Sequence, residues 1–286
     1  MSRSSFLVTP LISRCDSGVI IEEAAMQTVG ASNPSSPCGS SPGAFEATIT
    51  RIVERAPDTR SFFLHIAGSP GSRKFIFKPG QFLSFSLPAG EQTITRAYTI
   101  ASLPEDAEHL EICLNRVPDG PGSSYLFSRK EADVLRFTGP WGTFVLDQPV
   151  KTEYVFLADR VGVVPFRSMI QRVLSSSEKS TARLLYAARR ESDLLYRDEW
   201  QAWDRQDPRF SFWPILEPHN SSRASGPDGY GMEKLLLPYV EQHYVQNDTR
   251  RDRRFYICGV GRPILLLRDR LRGAGYERKT VKYEKW

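Results

Sequence analysis

The chain has 286 residues and a mass of 32.4 kDa, which is more than one domain usually contains and therefore predicts two. Hydrophobic residues make up 40% and charged residues 25%, a composition that excludes a collagen-like, a wholly disordered and a disulfide-scaffold protein. The 38 Lys and Arg exceed the 33 Asp and Glu by a net charge of +5. No apolar run is long enough to span a bilayer, so we expect no membrane span.

Cysteine and histidine are placed singly along the chain. Because the four cysteines include no CxxC pair, the sequence predicts neither a zinc ribbon nor a cysteine-ligated iron–sulfur cluster. The four histidines are equally scattered, and we expect no metal site. Nothing in this pattern favours an oxidising compartment, so a cytoplasmic protein is expected. The cysteines are Cys15, Cys38, Cys113 and Cys258.

The first 43 residues differ in composition from the rest. Between Ala31 and Gly43, ten of thirteen positions are Ser, Pro or Gly, which leaves too little apolar surface to form a core. We therefore predict a disordered tail over residues 1–43. Its acidic residues argue against a transit peptide, and a true start at Met26 is equally consistent with the sequence.

Residues 44–148 contain short apolar strands, several of which are separated by turn formers such as Pro79-Gly80. Six strands at this spacing predict an antiparallel six-stranded β-barrel, interrupted by one short helix near Ser123–Ser128. The predicted strands are Glu46–Arg55, Arg60–Ile66, Gln81–Leu87, Arg96–Ser102, His109–Val117 and Val134–Phe137.

Residues 149–286 alternate strands with helices, which predicts an α/β domain with a parallel sheet wound in βαβ units. Helices are predicted over Pro165–Leu174, Met232–His243 and Ile264–Arg272, with a kink or restart at Pro238. The predicted strands are Tyr154–Ala158, Arg183–Ala188, Phe210–Leu216, Phe255–Cys258 and Thr280–Glu284.

The segment Arg96-Ala97-Tyr98-Thr99 lies on one predicted strand. Strand alternation places Arg96 and Tyr98 on the same face, where a guanidinium suits a phosphate and a flat ring suits an aromatic ring system. A barrel strand with one surface arginine is the alternative. The segment resembles the RxYS/T flavin motif of the ferredoxin–NADP reductase superfamily. The resemblance implies that all four residues bind the flavin and that Thr99 also serves in catalysis.

Three neighbouring segments strengthen this resemblance. The segment at 79–82, Pro-Gly-Gln-Phe, matches the PGQ(Y/F) turn of the family, and that at 139–144, Gly-Pro-Trp-Gly-Thr-Phe, matches its GPxGxF turn. The segment at 120–126 resembles its pyrophosphate loop, in which a helix N-terminus offers free N–H groups to a diphosphate. The implied ligands there are Gly120, Gly122, Ser123 and Ser124.

The second half resembles the nicotinamide-binding domain of the same family, with one departure. Gly162 and Pro165 match the end of the family's glycine-rich loop and the start of its helix. The preceding glycine pair is replaced by Asp159-Arg160, and a threonine by Val161. Because a carboxylate repels a phosphate, a loop that no longer binds the dinucleotide is the alternative, unless Arg160 offsets the charge.

Other matching positions follow at the ends of later strands. Arg189 and Arg190 are implied to bind the nucleotide, including a 2′-phosphate, although solvated surface arginines would look the same. Cys258 and Gly259 match the YxCG strand end that adjoins the nicotinamide, although a small buried thiol is the alternative. The terminal Glu284 and Trp286 are implied to lie near the flavin and, with Cys258, to serve in catalysis, and a frayed terminus is the alternative.

The resemblance implies a flavin-dependent oxidoreductase that takes hydride from NADPH or NADH and passes electrons to a separate acceptor. FAD is the expected flavin, with FMN as the alternative, and the cofactors perform the redox step. The implied acceptor is an acidic ferredoxin, a flavodoxin or an oxygenase component. The rival hypothesis is a flavin-binding electron-transfer or sensory subunit that has lost nicotinamide use because of Asp159-Arg160.

The excess of basic residues is concentrated at the C-terminal end. Residues 250–286 contain twelve Lys or Arg and four acids, a net charge of +8. No nucleic-acid-binding motif accompanies them, so no nucleic acid partner is expected. A basic edge near a flavin site suits the steering of an acidic redox partner, and a solvated basic helix is the alternative.

Overall fold

A computed structural model of the chain describes residues 44–66, 75–106, 109–147, 152–176, 179–218 and 230–285. The predicted tail, the predicted domain boundary between residues 148 and 149, and Trp286 lie outside the described residues. No helix within the described ranges is long and apolar enough to cross a membrane.

The first sheet contains six antiparallel strands in the order β4-β3-β6-β1-β2-β5. An isolated antiparallel bridge between Ile100, just after β4, and Ile112 in β5 joins the two outer strands and closes the barrel. The predicted barrel is therefore confirmed. Its strands are β1 (Ala44–Ala56), β2 (Thr59–His65), β3 (Phe82–Ala89), β4 (Gln92–Thr99), β5 (His109–Asn115) and β6 (Val134–Trp141).

Alternation along the strands fills the barrel interior. In β3, Leu83, Phe85 and Leu87 are buried while the intervening residues are not, as expected of a strand with one face on the core. Phe85 packs against Phe137 of β6 with ring centroids 5.5 Å apart. The short helix α1 (Pro121–Phe127) follows β5 and inserts the fully buried Leu126 into the same core.

The second sheet contains five parallel strands in the order β11-β10-β7-β8-β9. Its strands are β7 (Glu153–Asp159), β8 (Thr181–Ala188), β9 (Phe210–Leu216), β10 (Arg254–Gly259) and β11 (Val281–Lys285). The helices are α2 (Val164–Leu174), α3 (Arg197–Gln206), α4 (Tyr230–Val240) and α5 (Pro263–Gly273). The prediction of an α/β domain is confirmed.

Both faces of this sheet are covered by helices. Phe156 and Tyr256 point into the core formed with α2 and α3, whereas Val155 and Phe255 point into the core formed with α4 and α5. The strand order reverses between β7 and β10, because the chain runs outward from β7 in one direction and returns through β10 to the other. In parallel sheets of this kind, ligands bind outside the carboxyl ends of the strands at this switch point.

The structure corrects several predicted element boundaries. The predicted strand Arg96–Ser102 runs instead from Gln92 to Thr99. The predicted helix Met232–His243 is α4, with Pro238 inside it, followed by a π-helical turn at Glu241–Gln246. The sequence did not predict α3, because its segment is strongly polar and buries only Trp200.

The barrel and the α/β half share a core. Phe144, from the segment after β6, packs against Phe166 of α2 and Tyr256 of β10 with ring centroids 6.3 and 5.8 Å away. Gly80 lies so close to the Phe144 carbonyl that an added Cβ would stand 2.1 Å from its oxygen. Only glycine fits there, and its φ of +95° is also in the region that favours glycine.

Candidate cofactor site

The predicted flavin-binding motif lies on β4, called the flavin strand below, beside the start of α1. An added Cβ on Gly122 would lie 2.7 Å from Cγ of Arg96 and 3.2 Å from the hydroxyl of Tyr98. Arg96 and Tyr98 therefore occupy the same face of β4, as predicted, and the missing side chain of Gly122 lets the helix approach them. Ala97 lies between them and pairs with Ser84 of β3.

The Arg96 guanidinium is available for a ligand. Its Nη1 donates to the carbonyl of the adjacent Thr95 at 2.8 Å, and it makes no salt bridge with any described residue. Burial raises the pKa of Tyr98 to about 12, opposed by the nearby Arg96 charge, so the phenol stays neutral at physiological pH. A cationic group and a neutral aromatic ring on one face fit the phosphate and the ring system of a flavin nucleotide.

Thr99, at the end of the same strand, carries a buried hydroxyl that is available to a bound group. The residue is 3% exposed, and its Oγ1 has no hydrogen-bond partner among the described residues. A buried hydroxyl without a partner costs about 1 to 3 kcal/mol, and a polar atom of a bound flavin would remove that cost. The residues present therefore fit FAD.

We expect the Thr99→Val variant to bind FAD about 3- to 10-fold more weakly, because one net hydrogen bond contributes about 0.5 to 1.5 kcal/mol. Flavin-stripped protein should lose no stability, since the hydroxyl has no partner to lose. Fluorescence titration with FAD and urea unfolding measure the two effects. The matched control is Thr50→Val, whose exposed hydroxyl donates to the Phe63 carbonyl of a neighbouring strand. Equal FAD affinity of the two variants would contradict the assignment of Thr99.

The predicted pyrophosphate loop uses its serine internally. Ser123 Oγ accepts a hydrogen bond from the backbone N–H of Val117 at 3.0 Å and lies 3.2 Å from the Gly120 carbonyl. It therefore fixes the turn that leads into α1, so its hydroxyl is engaged locally. Ser124 is exposed. A Cβ on Gly120 would lie 2.8 Å from that of Val117, so the turn requires glycine.

The predicted nicotinamide-binding positions lie at the switch point of the parallel sheet. Gly162 packs so tightly on the end of β10 that an added Cβ would lie 2.3 Å from the Cys258 carbonyl oxygen and 2.8 Å from Cα of Gly259. Pro165 follows in the first turn of α2 and is buried. The structure thus brings Gly162, Pro165, Cys258 and Gly259 together, as the resemblance implies.

Asp159 is buried at the end of β7 and is hydrogen-bonded within the protein. It is 3% exposed, and its Oδ1 accepts a hydrogen bond from the backbone N–H of Val260 at 3.2 Å, across the switch point. Burial raises its pKa to about 6, opposed by the charge of Arg160 and by this hydrogen bond. Arg160 itself is exposed with φ of +45°, a conformation usual for glycine. The arginine therefore retains the backbone shape of the glycine that it replaces.

We expect the Asp159→Asn variant to be more stable than the parent at pH 7.5, by about 3 kcal/mol. The raised pKa means that the native state binds the extra proton between about pH 4 and 6, so stability is lost as the pH rises through this window. At pH 4 the gain should fall below about 1 kcal/mol. Urea unfolding at both pH values measures this difference.

The Asp207→Asn variant is a control of opposite sign. The pKa of Asp207 is lowered by its hydrogen bonds with Arg209, so its charge stabilises the native state above the unfolded pKa. Its neutralisation should therefore destabilise the protein at pH 7.5 and have little effect in strong acid. A pH-independent gain in Asp159→Asn would contradict the burial of a titrating carboxyl at this position.

Cys258 and Glu284 lie side by side at the carboxyl ends of adjacent parallel strands. Cys258 is fully buried, and Glu284 Oε2 is buried without a hydrogen-bond partner in the described part of the chain. Burial raises the pKa of Glu284 to about 7, so a proton can enter or leave this carboxyl near neutrality. The thiol and the unpartnered carboxyl thus share the edge of the sheet where the nucleotide is expected.

The two arginines after β8 have different surroundings. Arg190 pairs with Asp193 through both its backbone N–H and its guanidinium, which fixes the following turn. Arg189 is exposed and makes no salt bridge within the described part of the chain. Of the two, Arg189 has the guanidinium that is free to meet a nucleotide phosphate.

The sequence did not identify a buried polar cluster between the two halves. Glu111 of β5 is 1% exposed and binds Arg167 of α2 and the hydroxyl of Tyr196, at the start of α3. An acid among the apolar central residues of the strand His-Leu-Glu-Ile-Cys-Leu-Asn is the local signal of such a cluster. Its partners come from distant segments, so the sequence does not indicate them.

Comparison with known proteins agrees with both halves of the fold. Residues 46–146 match the family model of the oxidoreductase FAD-binding domain, and residues 156–265 match that of the oxidoreductase NAD-binding domain. The chain is 31% identical to ferredoxin–NADP reductase B of Sorangium cellulosum over 243 residues, which cover 85% of this chain and 97% of that protein.

One further relative and one solved structure are more distant in sequence. The toluate 1,2-dioxygenase electron transfer component of Pseudomonas putida is 26% identical, with 87% of this chain and 69% of that protein covered. The structure of ferredoxin-NADP+ reductase from Plasmodium falciparum with 2′P-AMP superposes with a TM-score of 0.68 at 16% identity and covers 85% of this chain and 96% of that one. The likeness to the Plasmodium falciparum structure shows a shared fold.

The barrel contains the flavin strand, and the parallel sheet contains the nucleotide edge, formed by the carboxyl ends of β7 and β10. The two matched domains define an NAD(P)H-dependent flavin oxidoreductase that uses FAD. Together with the relatedness along nearly the whole reductase of Sorangium cellulosum, they identify the family. The chain belongs to the ferredoxin–NADP reductase superfamily.

Proposed function

We propose that this chain takes two electrons from NADPH or NADH through FAD and delivers them to a separate redox protein. The observation that supports this proposal most directly is the contact between the α/β half and the barrel near the flavin strand. The turn at residues 160–163, which belongs to the nucleotide edge, contacts β5 of the barrel, and β5 is bridged to the end of the flavin strand. The relatives named as a ferredoxin–NADP reductase and a dioxygenase electron transfer component support an acceptor on another protein.

On the flavin side, we assign phosphate binding to Arg96 and ring contact to Tyr98. The buried Thr99 hydroxyl offers a hydrogen bond to the flavin, and Gly122 admits the start of α1 to the same face. When bound, FAD accepts a hydride and releases its electrons onward, and the protein binds and orients it. FMN lacks the second phosphate and the adenosine that the loop at 120–124 is expected to meet.

On the nicotinamide side, we assign the close backbone approach to Gly162 and Pro165, and phosphate contact to Arg189. Asp159 joins the ends of β7 and β10 instead of repelling the nucleotide. Cys258 and Glu284 adjoin the reacting ring in this assignment, and Glu284 is placed to exchange a proton. Trp286 keeps its predicted role as cover of the flavin, outside the described residues.

Anaerobic mixing of the FAD-loaded protein with NADPH, and separately with NADH, tests the proposal. We expect rapid loss of the flavin absorbance with at least one of the two donors. A preference for NADPH would indicate that Arg189 binds its 2′-phosphate. The Arg189→Ala variant should then have a smaller preference for NADPH. If neither donor reduces a protein that holds FAD, the chain is the electron-transfer or sensory subunit of the rival hypothesis.

The C-terminal basic segment contributes less free charge than its composition indicates. Most of its cations are already paired with acids of the same chain, and Arg251 and Arg272 donate to backbone carbonyls. The ion pairs are Arg250–Asp252, Arg253 with Glu153 and Asp248, Arg254–Asp147, Arg268–Asp269, Arg270–Glu241, Lys279–Glu277 and Lys282–Asp147.

The cations that remain for an acidic partner in this segment are few. Arg262, Arg278 and Lys285 make no salt bridge with any described residue. We propose that they contribute to docking of an acidic ferredoxin, flavodoxin or oxygenase component, with a modest salt dependence. A rate of electron delivery to an acidic ferredoxin that is the same at low and high salt would contradict this. The cytoplasmic location stays a prediction.

A further inference from the structure

A buried carboxylate at the interface of the two halves collects hydrogen bonds from both. Glu111 Oε1 accepts from Arg55 Nη2 at 3.0 Å, from the Ser61 hydroxyl at 2.5 Å and from the Tyr196 hydroxyl at 2.9 Å. Its Oε2 accepts from Arg167 Nη1 at 3.1 Å. Arg55 and Ser61 belong to the barrel, whereas Arg167 and Tyr196 belong to the α/β half, so the carboxylate joins the two.

Arg167 makes the most direct connection. Its Nη1 also donates to the backbone carbonyl of Ala101 at 3.1 Å, and its Nε donates to both oxygens of Glu199 at 2.9 and 3.0 Å. Ala101 follows Thr99 by two residues, and its own N–H donates to the Glu111 carbonyl at 2.7 Å. One guanidinium therefore holds the end of the flavin strand from the α/β side.

The other end of this connection lies at the nucleotide edge. Arg167 is two residues after Pro165, in the first turns of α2, and Gly162 packs on the end of β10 immediately before that helix. Since a helix is stiff over two turns, a shift of the Arg167 contacts shifts this loop relative to Thr99. The connection between the flavin strand and the turn at residues 160–163, called the nucleotide loop, thus runs from Thr99 through Ala101 and Arg167 to Pro165.

Net stabilisation is not the evident purpose of this cluster. Buried ion pairs repay little more than their desolvation, and well-packed apolar residues often serve stability equally well. What the cluster does supply is a fixed geometry, because a planar guanidinium with three defined acceptors permits one arrangement of the two halves. Hydride transfer is the step that depends most steeply on such an arrangement.

We propose that Arg167 is a positioning residue for hydride transfer, which holds the nucleotide loop at a fixed distance from the flavin strand through Ala101 and Glu111. The inference rests on the proposed function. In that reaction the dihydronicotinamide loses a hydride, which is two electrons and one proton, and is thereby oxidised. The flavin takes up this hydride and is reduced. Arg167 touches neither cofactor in this role and acts through the backbone on each side.

The test compares Arg167→Met with Arg209→Met. Arg209 is a matched control because its guanidinium also donates to a backbone carbonyl, that of Leu174 at the far end of α2, and to Asp207, all within the α/β half. Anaerobic stopped-flow mixing with a donor series separates the limiting rate of flavin reduction from the donor dissociation constant. We expect Arg167→Met to lower the limiting rate about 10- to 100-fold with the dissociation constant changed less than about 3-fold.

A second readout does not depend on turnover. Reduced FAD enzyme mixed with NADP⁺ or NAD⁺, whichever corresponds to the preferred donor, should show long-wavelength absorbance when the two rings stack. This band should weaken in Arg167→Met and persist in Arg209→Met. Arg167→Lys, which keeps one donor for the Ala101 carbonyl, should recover part of both the rate and the band. A merely structural role of Arg167 predicts lower thermal stability with an unchanged band.

If Arg167→Met does not fold, Glu199→Gln replaces it, because Glu199 is partly exposed and restrains Arg167 Nε from the opposite side. This variant should lower the limiting rate and weaken the band in the same direction by a smaller factor. Equal limiting rates and bands in the Arg167 variants and the Arg209 control would overturn the inference. Failure of the parent protein to be reduced by either donor would instead overturn the proposed function.

Discussion

Replacement of Gly162 by alanine is expected to lower the rate of flavin reduction by NADPH or NADH about 100-fold or more, while FAD stays bound. The added Cβ would lie 2.3 Å from the Cys258 carbonyl oxygen and 2.6 Å from its carbon, and both are backbone atoms. No side-chain rotation relieves such a contact, so the turn after β7 must move away from the end of β10. The nucleotide edge is thereby opened, whereas the flavin strand is untouched.

The control for this substitution is Gly273→Ala. Gly273 ends α5, and an added Cβ there would meet nothing within 4 Å. Its reduction rate and flavin content should equal those of the parent. Anaerobic stopped-flow absorbance measures the rates, and the ratio of flavin to protein absorbance measures retention. A Gly162→Ala variant that is reduced as fast as Gly273→Ala would show that the close approach at the switch point does not matter for the reaction.

The Arg96→Ala variant is expected to bind FAD about 10- to 100-fold more weakly, because a charge-assisted hydrogen bond contributes about 1.5 to 3 kcal/mol. Arg96 makes no salt bridge among the described residues, so the flavin-free protein should unfold at the same urea concentration as the parent. Equilibrium titration with FAD and urea unfolding separate the two quantities. A loss of affinity without loss of stability is the signature of a ligand-binding arginine.

Arg136→Ala provides the comparison within the same barrel. Arg136 is an exposed strand arginine whose Nε pairs with Glu46 at 2.7 Å. Its removal should leave FAD affinity unchanged, since the pair lies on β1 and β6 and not on the flavin strand. If Arg96→Ala retained FAD as well as Arg136→Ala, Arg96 would have to be removed from the site.

The sequence predicts the two sheets because each strand carries enough of its own burial pattern. Alternation of apolar residues specifies the barrel strands, and short apolar runs specify β7 and β10, which are buried on both faces. Helix α3 is missed for the converse reason, since its segment buries only Trp200 and its stability comes from packing against β9. Local propensity does not contain that information.

The site is predicted only where local motifs specify it. The spacing of Arg96 and Tyr98 places both on one face, and the structure agrees. From the sequence alone, the Asp159 carboxylate is expected to repel a phosphate. The sequence does not show that the backbone N–H of Val260, 101 residues later, donates a hydrogen bond to this carboxylate. Side-chain direction at a loop is a tertiary property.

The interface cluster is beyond any local pattern. Glu111 lies 56 residues from Arg167 and 85 residues from Tyr196 along the chain. Its neighbours in the middle of the strand are apolar, so the sequence gives no reason to expect a buried acid there. Such pairings are fixed by the packing of whole domains, and no local pattern in the sequence displays them.

The core shared by the two halves has a consequence for folding. Ala101, Cys113 and Phe144 are contributed by the barrel half but are buried among residues of the α/β half such as Met169 and Tyr256. A fragment ending near residue 148 would expose the first set to water, and a fragment beginning there would expose the second. We therefore expect one cooperative unfolding transition instead of two. Exchange of either half with that of a relative would succeed only if both sides of this shared core were transferred together.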